Sequence, residues 1–212
     1  YSISSSSKLN PDEVHITVST VRYAFKGRPR KGVCSTFLAD RVDSNQDVPI
    51  FVQKAAHFRP PANPDAPMIM VGPGTGVGPF RGFLQERQAV GAKGKNWLIF
   101  GEQRSEYDYY FKEELEAMKR SGLLQRLDTA FSRDQNEKIY VQHRMLEHGA
   151  ELWAWLQEGA HFYICGDASR MAKEVEATLK LIIQKHGGLS SAEAQSYIKE
   201  MARTKRFARD VY

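Results

Sequence analysis

Prolines stand at positions 60, 61, 64 and 67, and no regular element can run through them, because each proline fixes φ and removes a backbone N–H. The stretch reads as a linker, and the hydrophobic pattern differs on its two sides. That change of pattern constrains the fold more than any other feature. Before the prolines, residues 14–22 alternate and are rich in β-branched side chains, which predicts a strand. A basic loop is expected over 27–32, a short helix over 35–42 with Phe37, Leu38 and Val42 inward, and a strand over 48–53. After the prolines, short apolar runs alternate with helical patterns. Strands are expected at 68–71, 96–101, 125–131 and 161–165. Helices are expected at 79–89, 109–121, 141–157 (broken near Gly149) and 169–186. One more begins at Ser190, where Ser190 and Glu193 have capping-box spacing. Such alternation implies a doubly wound parallel sheet covered on both faces.

The sequence permits one large domain or two small ones, since 212 residues with 42% apolar content can bury a proper core. No apolar stretch is long enough to span a bilayer, so no membrane is expected as a partner. Cys34 and Cys165 are the only cysteines and lie far apart, which fits a reducing cytoplasm better than a disulfide framework. The first residue is Tyr rather than Met, as in a piece of a longer polypeptide. A net charge of +5 is modest, and no interleaved aromatics suggest nucleic acid, so a small anionic ligand is the more economical partner. His143 and His148 are five apart, the wrong spacing for two metal ligands on one helical face, and no metal is expected.

Four of the expected strand ends carry chemistry. The first leads into Val-Gly-Pro-Gly-Thr-Gly-Val-Gly-Pro-Phe-Arg, residues 71–81, a strand–turn–helix order that brings backbone N–H groups and a helix dipole toward a phosphate. The second is Phe100-Gly101-Glu102 and the third Phe131-Ser132-Arg133. The third is followed by Lys138 to Gln142, so a hydroxyl, a guanidinium, an ammonium and the Tyr140 phenol fall close together. Those groups suit a phosphate monoester, and equally a charged surface loop. A cation rather than an acid at this point of a dinucleotide site signals NADP. The fourth is Cys165-Gly166-Asp167, where a buried structural cysteine is the plain alternative.

Taken together these segments resemble the ferredoxin–NADP reductase superfamily, in its diflavin reductase branch, and most nearly the sulfite reductase flavoprotein type. Tyr1-Ser2-Ile3-Ser4 resembles the end of a flavin motif and Gly32-Val33-Cys34-Ser35 an FAD pyrophosphate loop. Residues 72–81 resemble an NADP pyrophosphate loop, and the Arg-Asp-Val-Tyr terminus is similar to the family's ending. The resemblance implies an NADP-binding α/β domain over 63–212, preceded over 1–62 by the C-terminal part of an antiparallel β-barrel FAD-binding domain. It implies hydride transfer from NADPH to FAD, with Ser2, Cys165, Asp210 and Tyr212 at the reacting rings. Tyr1, Ser2, Thr17, Val18, Ser19, Tyr23, Gly32, Val33, Cys34, Ser35 and Tyr212 are then the FAD set. Gly74, Thr75, Gly76, Arg81, Ser132, Arg133, Lys138, Ile139, Tyr140, Val141, Gln142 and Glu174 are the NADP set. Electrons would pass to FMN in a flavodoxin-like domain of the same polypeptide, outside this chain, and then to the haem/iron–sulfur subunit of sulfite reductase. Two alternatives are a cytochrome P450 reductase type of module and a catalytically silent NADP-binding fragment. The flavin motif's arginine would precede Tyr1, and the barrel's earlier strands lie outside the sequence.

Overall fold

The computed structural model describes all residues from Tyr1 to Tyr212. Five parallel strands form its main sheet: β3 (Met68–Val71), β4 (Asn96–Glu102), β5 (Arg126–Phe131), β6 (His161–Gly166) and β7 (Phe207–Val211). A small antiparallel hairpin precedes them, β1 (Arg22–Phe25) with β2 (Arg28–Lys31), followed by helix α1 (Val33–Asp40). Order across the main sheet is β5-β4-β3-β6-β7. The chain therefore moves outward from β3 to β5, then returns to lay β6 on the other side of β3. The crevice outside the carboxyl ends of β3 and β6, where that reversal occurs, is where an open α/β sheet receives ligands.

Strand β3 shows why the sheet is covered twice. All four of its residues are fully buried, and alternate side chains go to opposite faces. Ile69 and Val71 join a core with helices α4 (Val141–Glu147), α5 (Gly149–Gln157), α6 (Met171–Gly187) and α7 (Ser191–Arg203). Met68 and Met70 join the core on the other face with α2 (Val77–Ala89) and α3 (Lys112–Arg120). Each fully buried Ile, Leu, Phe or Met contributes about 1.5–3 kcal/mol to folding, so the two cores together hold the sheet rigid beneath its ligand edge. Ser190 Oγ accepts from the Glu193 N–H while Glu193 accepts from the Ser190 N–H, the capping box expected at the start of α7. No helix of the chain is long and apolar enough to cross a membrane.

The first 67 residues depart most from expectation. No strand fills 14–22; Ile16 makes an isolated antiparallel bridge to Ile3, and pairing begins only at Arg22. The basic segment 27–32 is a strand rather than a loop. Lys26 and Gly27 both take positive φ (49° and 71°), which folds β1 back on β2 in the manner of a tight hairpin. Helix α1 begins at Val33, two residues early, and buries Ser35 and Thr36 rather than Phe37, Leu38 and Val42. Residues 48–53 form no strand, and Ile50, Phe51 and Val52 are exposed, because alternation alone supplies no neighbour to pair with. Strand β7 had no expectation at all. It is short and half-buried at the sheet edge, so its five residues carry a weak pattern.

Candidate functional site

A cleft of about 650 Å³ opens along the carboxyl ends of the main sheet. One wall is the turn after β3, where Gly74–Gly76 forms a single 3-10 turn that runs directly into α2. Gly76 has no substitute there: a Cβ on it would stand 2.1 Å from the Cys165 carbonyl oxygen of β6. Real Cβ atoms do not approach that closely, so glycine is what lets the turn and β6 close the crevice between them.

The opposite wall comes from the ends of β4 and β5 and the segment leading into α4. Glu102 and Gln103 follow β4, Ser132 and Arg133 follow β5, and Lys138, Tyr140, Val141 and Gln142 enter α4. Arg133 is exposed and enters no ion pair, so its charge is free to meet a ligand. Glu174 on α6 accepts from Gln142 Nε2 at 2.7 Å and from Arg170 Nε at 2.8 Å. The Arg170 guanidinium also lies 5.8 Å from the Tyr140 ring centroid. This small network ties α6 to α4 across the cleft, and Arg170 was not foreseen. The same is true of Gln103, Tyr110 and Met171, which also line it. Arg170 and Glu174 are an i, i+4 pair directly after a strand end, a legible signal; Gln103 and Tyr110 lie in irregular loop and offered none.

At the β6–β7 end, three distant parts of the sequence meet. Cys165 is in register with Asp210, and Asp210 Oδ2 accepts the Ser2 hydroxyl at 2.8 Å. Tyr212 is anchored by its own N–H to the Gly166 carbonyl and by its carbonyl to the Ala168 N–H, while its hydroxyl meets Thr75 Oγ1 at 2.7 Å. The terminal tyrosine thus lies across the glycine turn at the cleft's edge. Burial, with the Asp210 charge beside it, pushes the Cys165 thiol up to about 12, so it is a neutral thiol at ordinary pH. Asp167 accepts from the Ser169 hydroxyl and from the N–H groups of Ser169, Arg170 and Met171. Those bonds hold its carboxyl well below the usual carboxylate range and commit it to the turn before α6.

Thiol chemistry checks this arrangement directly. Cys165 is fully buried and Cys34 exposed. Titration of the native protein with an aromatic disulfide reagent is expected to modify Cys34 promptly and Cys165 far more slowly. Prompt reaction of both would mean that the crevice between the turn and β6 is open.

The N-terminal segment lies along the start of α2. Thr17 Oγ1 would be 3.2 Å from a Cβ on Gly78, and it is a buried hydroxyl with no hydrogen-bond partner. Ser19 reaches the cleft itself. Tyr1 lies against Cys34 and Ser35, and burial with the Cys34 contact raises its hydroxyl pKa. The Ser35 hydroxyl, at the first turn of α1, accepts from the Val21 N–H at 3.1 Å, and a Cβ on Gly32 would fall 2.6 Å from Ser35 Oγ. Tyr23 and Val33 are exposed, and Val18 is half-buried.

Three residues expected at the NADP site stand elsewhere. Arg81 donates to Glu114 Oε2 and to the Ser4 carbonyl, both at 2.7 Å, and meets His15 Nδ1 at 3.0 Å. It is a tie between α2, α3 and the N-terminal segment, because a helix residue just over one turn into α2 points away from the strand edge. Ile139 packs against the core, and Gly76 is buried under β6 rather than in the cleft lining.

Comparison with known proteins follows the same division. Residues 70–177 match the family model described as oxidoreductase NAD-binding domain, and residues 1–37 that described as FAD binding domain. Over all 212 residues the chain is 52% identical to the sulfite reductase (NADPH) flavoprotein alpha-component of Bacillus subtilis (strain 168) and covers 35% of that protein. It is 50% identical to the proteins of that name from Serratia proteamaculans (strain 568) and Vibrio cholerae serotype O1 (strain ATCC 39541 / Classical Ogawa 395 / O395), covering 35% and 34% of them. In each case the whole of this chain is covered, and it spans about a third of the relative's length.

Proposed function

This chain belongs to the oxidoreductase NAD-binding domain family and carries a match to the FAD binding domain at its N-terminal end, and from that premise we propose that it is the NADPH-oxidising module of a sulfite reductase flavoprotein. Residues 63–212 would bind NADPH and residues 1–62 would contribute to an FAD domain. One observation carries the reading: Ser2, Cys165, Asp210 and Tyr212 converge at the β6–β7 end of the cleft that Ser132, Arg133 and Lys138 line after β5. Four strand spacings separate β5 from β7, about 19 Å at ~4.8 Å each. A dinucleotide lying along this edge would put its adenosine phosphate at the cations and its pyrophosphate on the turn at Gly74 and Thr75. Its nicotinamide would then reach the cysteine.

The residues present fit both cofactors. A glycine cradle that a Cβ would fill suits a pyrophosphate, and the orphaned buried Thr17 hydroxyl with the Ser35 turn suits the polar parts of FAD. Bound together, NADPH supplies a hydride and FAD accepts it, chemistry that belongs to the cofactors. The protein positions them. Arg133 gives a planar fork for the 2′-phosphate, with Lys138 as a point charge and the Ser132 hydroxyl as a third contact. Tyr140 offers a ring face for adenine, and Glu174 is held by Gln142 and Arg170 between α6 and α4. Ser2 fixes the Asp210 carboxylate with its hydroxyl, and Asp210 would supply negative charge to a pyridine ring that gives up a hydride there. Cys165, as a neutral thiol, would lie beside that ring and add no charge there.

Tyr212 covers the turn through its bond to Thr75 and must leave for nicotinamide to enter, a gating step. Tyr212→Ala is expected to ease entry and to lower the preference for NADPH over NADH, read as the ratio of kcat/KM values. An unchanged ratio removes the gate from this account. Electrons would pass from FAD to FMN in a flavodoxin-like domain and on to a haem protein, a further component beside the alpha-component that the relatives' names print.

A second reading, an NADP-binding module that holds no FAD alone, is favoured by the exposure of Tyr23, Val33, Ile50, Phe51 and Val52. Calorimetry with NADP+ and FAD separates the two. Binding of both, with bleaching of the flavin by NADPH, supports the oxidising module. Binding of NADP+ alone supports the second reading, and binding of neither ends both.

A further inference from the structure

We propose that Glu102 accommodates the dinucleotide best as its neutral acid, so that binding draws a proton onto this carboxyl over the pH range in which it titrates. The inference rests on the reading of the cleft as a dinucleotide site. Glu102 ends β4 and lines the cleft beside the glycine turn. A Cβ on Gly74 would lie 3.6 Å from Glu102 Oε2, so the carboxyl stands against the part of the turn where a pyrophosphate would settle.

No cation pairs with it: Glu102 enters none of the chain's ion pairs. Acids elsewhere in the cleft are all engaged, Glu174 by Gln142 and Arg170 and Asp167 by the turn before α6. The groups that face Glu102 are Asp108 and Tyr110 from the loop after β4, and Arg133 from the loop after β5. The glycine turn contributes no titratable group.

Burial is the largest influence on Glu102 and the Asp108 charge adds to it, raising the carboxyl above its usual range; the Gln103 N–H and the Arg133 guanidinium act the other way. A pyrophosphate carries two further negative charges into this space. Two anions that close in a half-desolvated cleft repel, and Arg133 would be drawn to the ligand. Protonation removes the repulsion and turns an acceptor into a donor that can face a phosphate oxygen. The bound pKa then lies above the free pKa. Affinity is highest below the free value, falls as pH rises between the two, and levels off above the bound value.

The test is NADP+ affinity against pH for the intact protein and its Glu102→Gln variant, with calorimetry in two buffers of different ionisation enthalpy. Titration of the ligand's own 2′-phosphate is common to both proteins and cancels in their ratio. The expected result is near-equal affinity at about pH 5 and a variant that binds about tenfold tighter at about pH 8, the scale of one removed like-charge contact. The buffer comparison should show proton uptake in the parent exceeding that of the variant, an arm that stands even if the variant folds poorly. Parallel profiles with equal uptake overturn the inference. So does a variant that binds more weakly at every pH, because Glu102 would then be a charged acceptor for a ligand hydroxyl. Absence of NADP+ binding by the parent at any pH would instead overturn the dinucleotide reading, and this inference with it.

Discussion

Arg133→Ala is expected to weaken NADPH by about 10- to 100-fold while changing NADH by no more than about threefold, since a charge-assisted hydrogen bond contributes about 1.5–3 kcal/mol and NADH lacks the phosphate that would receive it. The structure makes this a clean substitution. Arg133 follows β5, is exposed, and enters no ion pair, its charge reaching Glu102 only at longer range. Its backbone keeps the loop in place whatever the side chain: the Arg133 N–H donates to the Gln103 carbonyl, and the Arg133 carbonyl accepts from Arg104 at 3.3 Å. Lys138 also lines the cleft and would retain part of the attraction, which sets the upper bound. Steady-state kcat/KM with both nucleotides measures the effect. Equal losses for the two would move the phosphate site away from this loop.

Gly76→Ala should be the most damaging small substitution in the chain. The added methyl would meet the Cys165 carbonyl oxygen at 2.1 Å and its carbon at 2.7 Å, both backbone atoms of a strand buried in the sheet. Neither side can yield cheaply: Cys165 pairs in register with Asp210, and the turn is continuous with α2. A cost of about 3 kcal/mol or more is expected, with loss of nucleotide binding as the turn and β6 part. Gly74→Ala is the control, because its methyl would find nothing nearer than 3.6 Å and meets only the strain of φ +58°. That strain costs about 1–2 kcal/mol. Chemical denaturation of the two variants ranks them. A Gly76→Ala protein as stable as its parent would contradict the close approach on which the crevice depends.

Much of the α/β half was legible because each element announces itself locally. Met68-Ile69-Met70-Val71 is apolar at every position, as a strand buried on both faces must be, and the prolines and glycines around it leave no other reading. The Ser190–Glu193 cap marked α7 to the residue. Strand β7 escaped because an edge strand of five residues, four half-buried and Arg209 exposed, has neither alternation nor length. The hairpin escaped because Arg28-Pro29-Arg30-Lys31 looks like solvated loop; its pairing depends on the positive φ at Lys26 and Gly27, which composition does not reveal.

At the candidate site, sequence order brought the right strand ends to one edge but could not orient individual side chains. Arg81 illustrates the gap. It closes the glycine-rich motif, yet helical geometry turns it toward Glu114 and the Ser4 carbonyl. Arg170 lies in the cleft because the Asp167 turn starts α6 just there, a matter of hydrogen bonds to Asp167 rather than of residue type. Meeting of Ser2 with Asp210, 208 residues apart, was expected only from resemblance to a family. Nothing in local pattern brings the two ends of a chain together.

A structure of the protein crystallised with NADP+ tests the central claim most directly. The account predicts density along the carboxyl edge of the sheet, with the 2′-phosphate on Ser132, Arg133 and Lys138 and the pyrophosphate on the turn at Gly74 and Thr75. A dinucleotide bound in the opposite direction, or anywhere other than this edge, would contradict it.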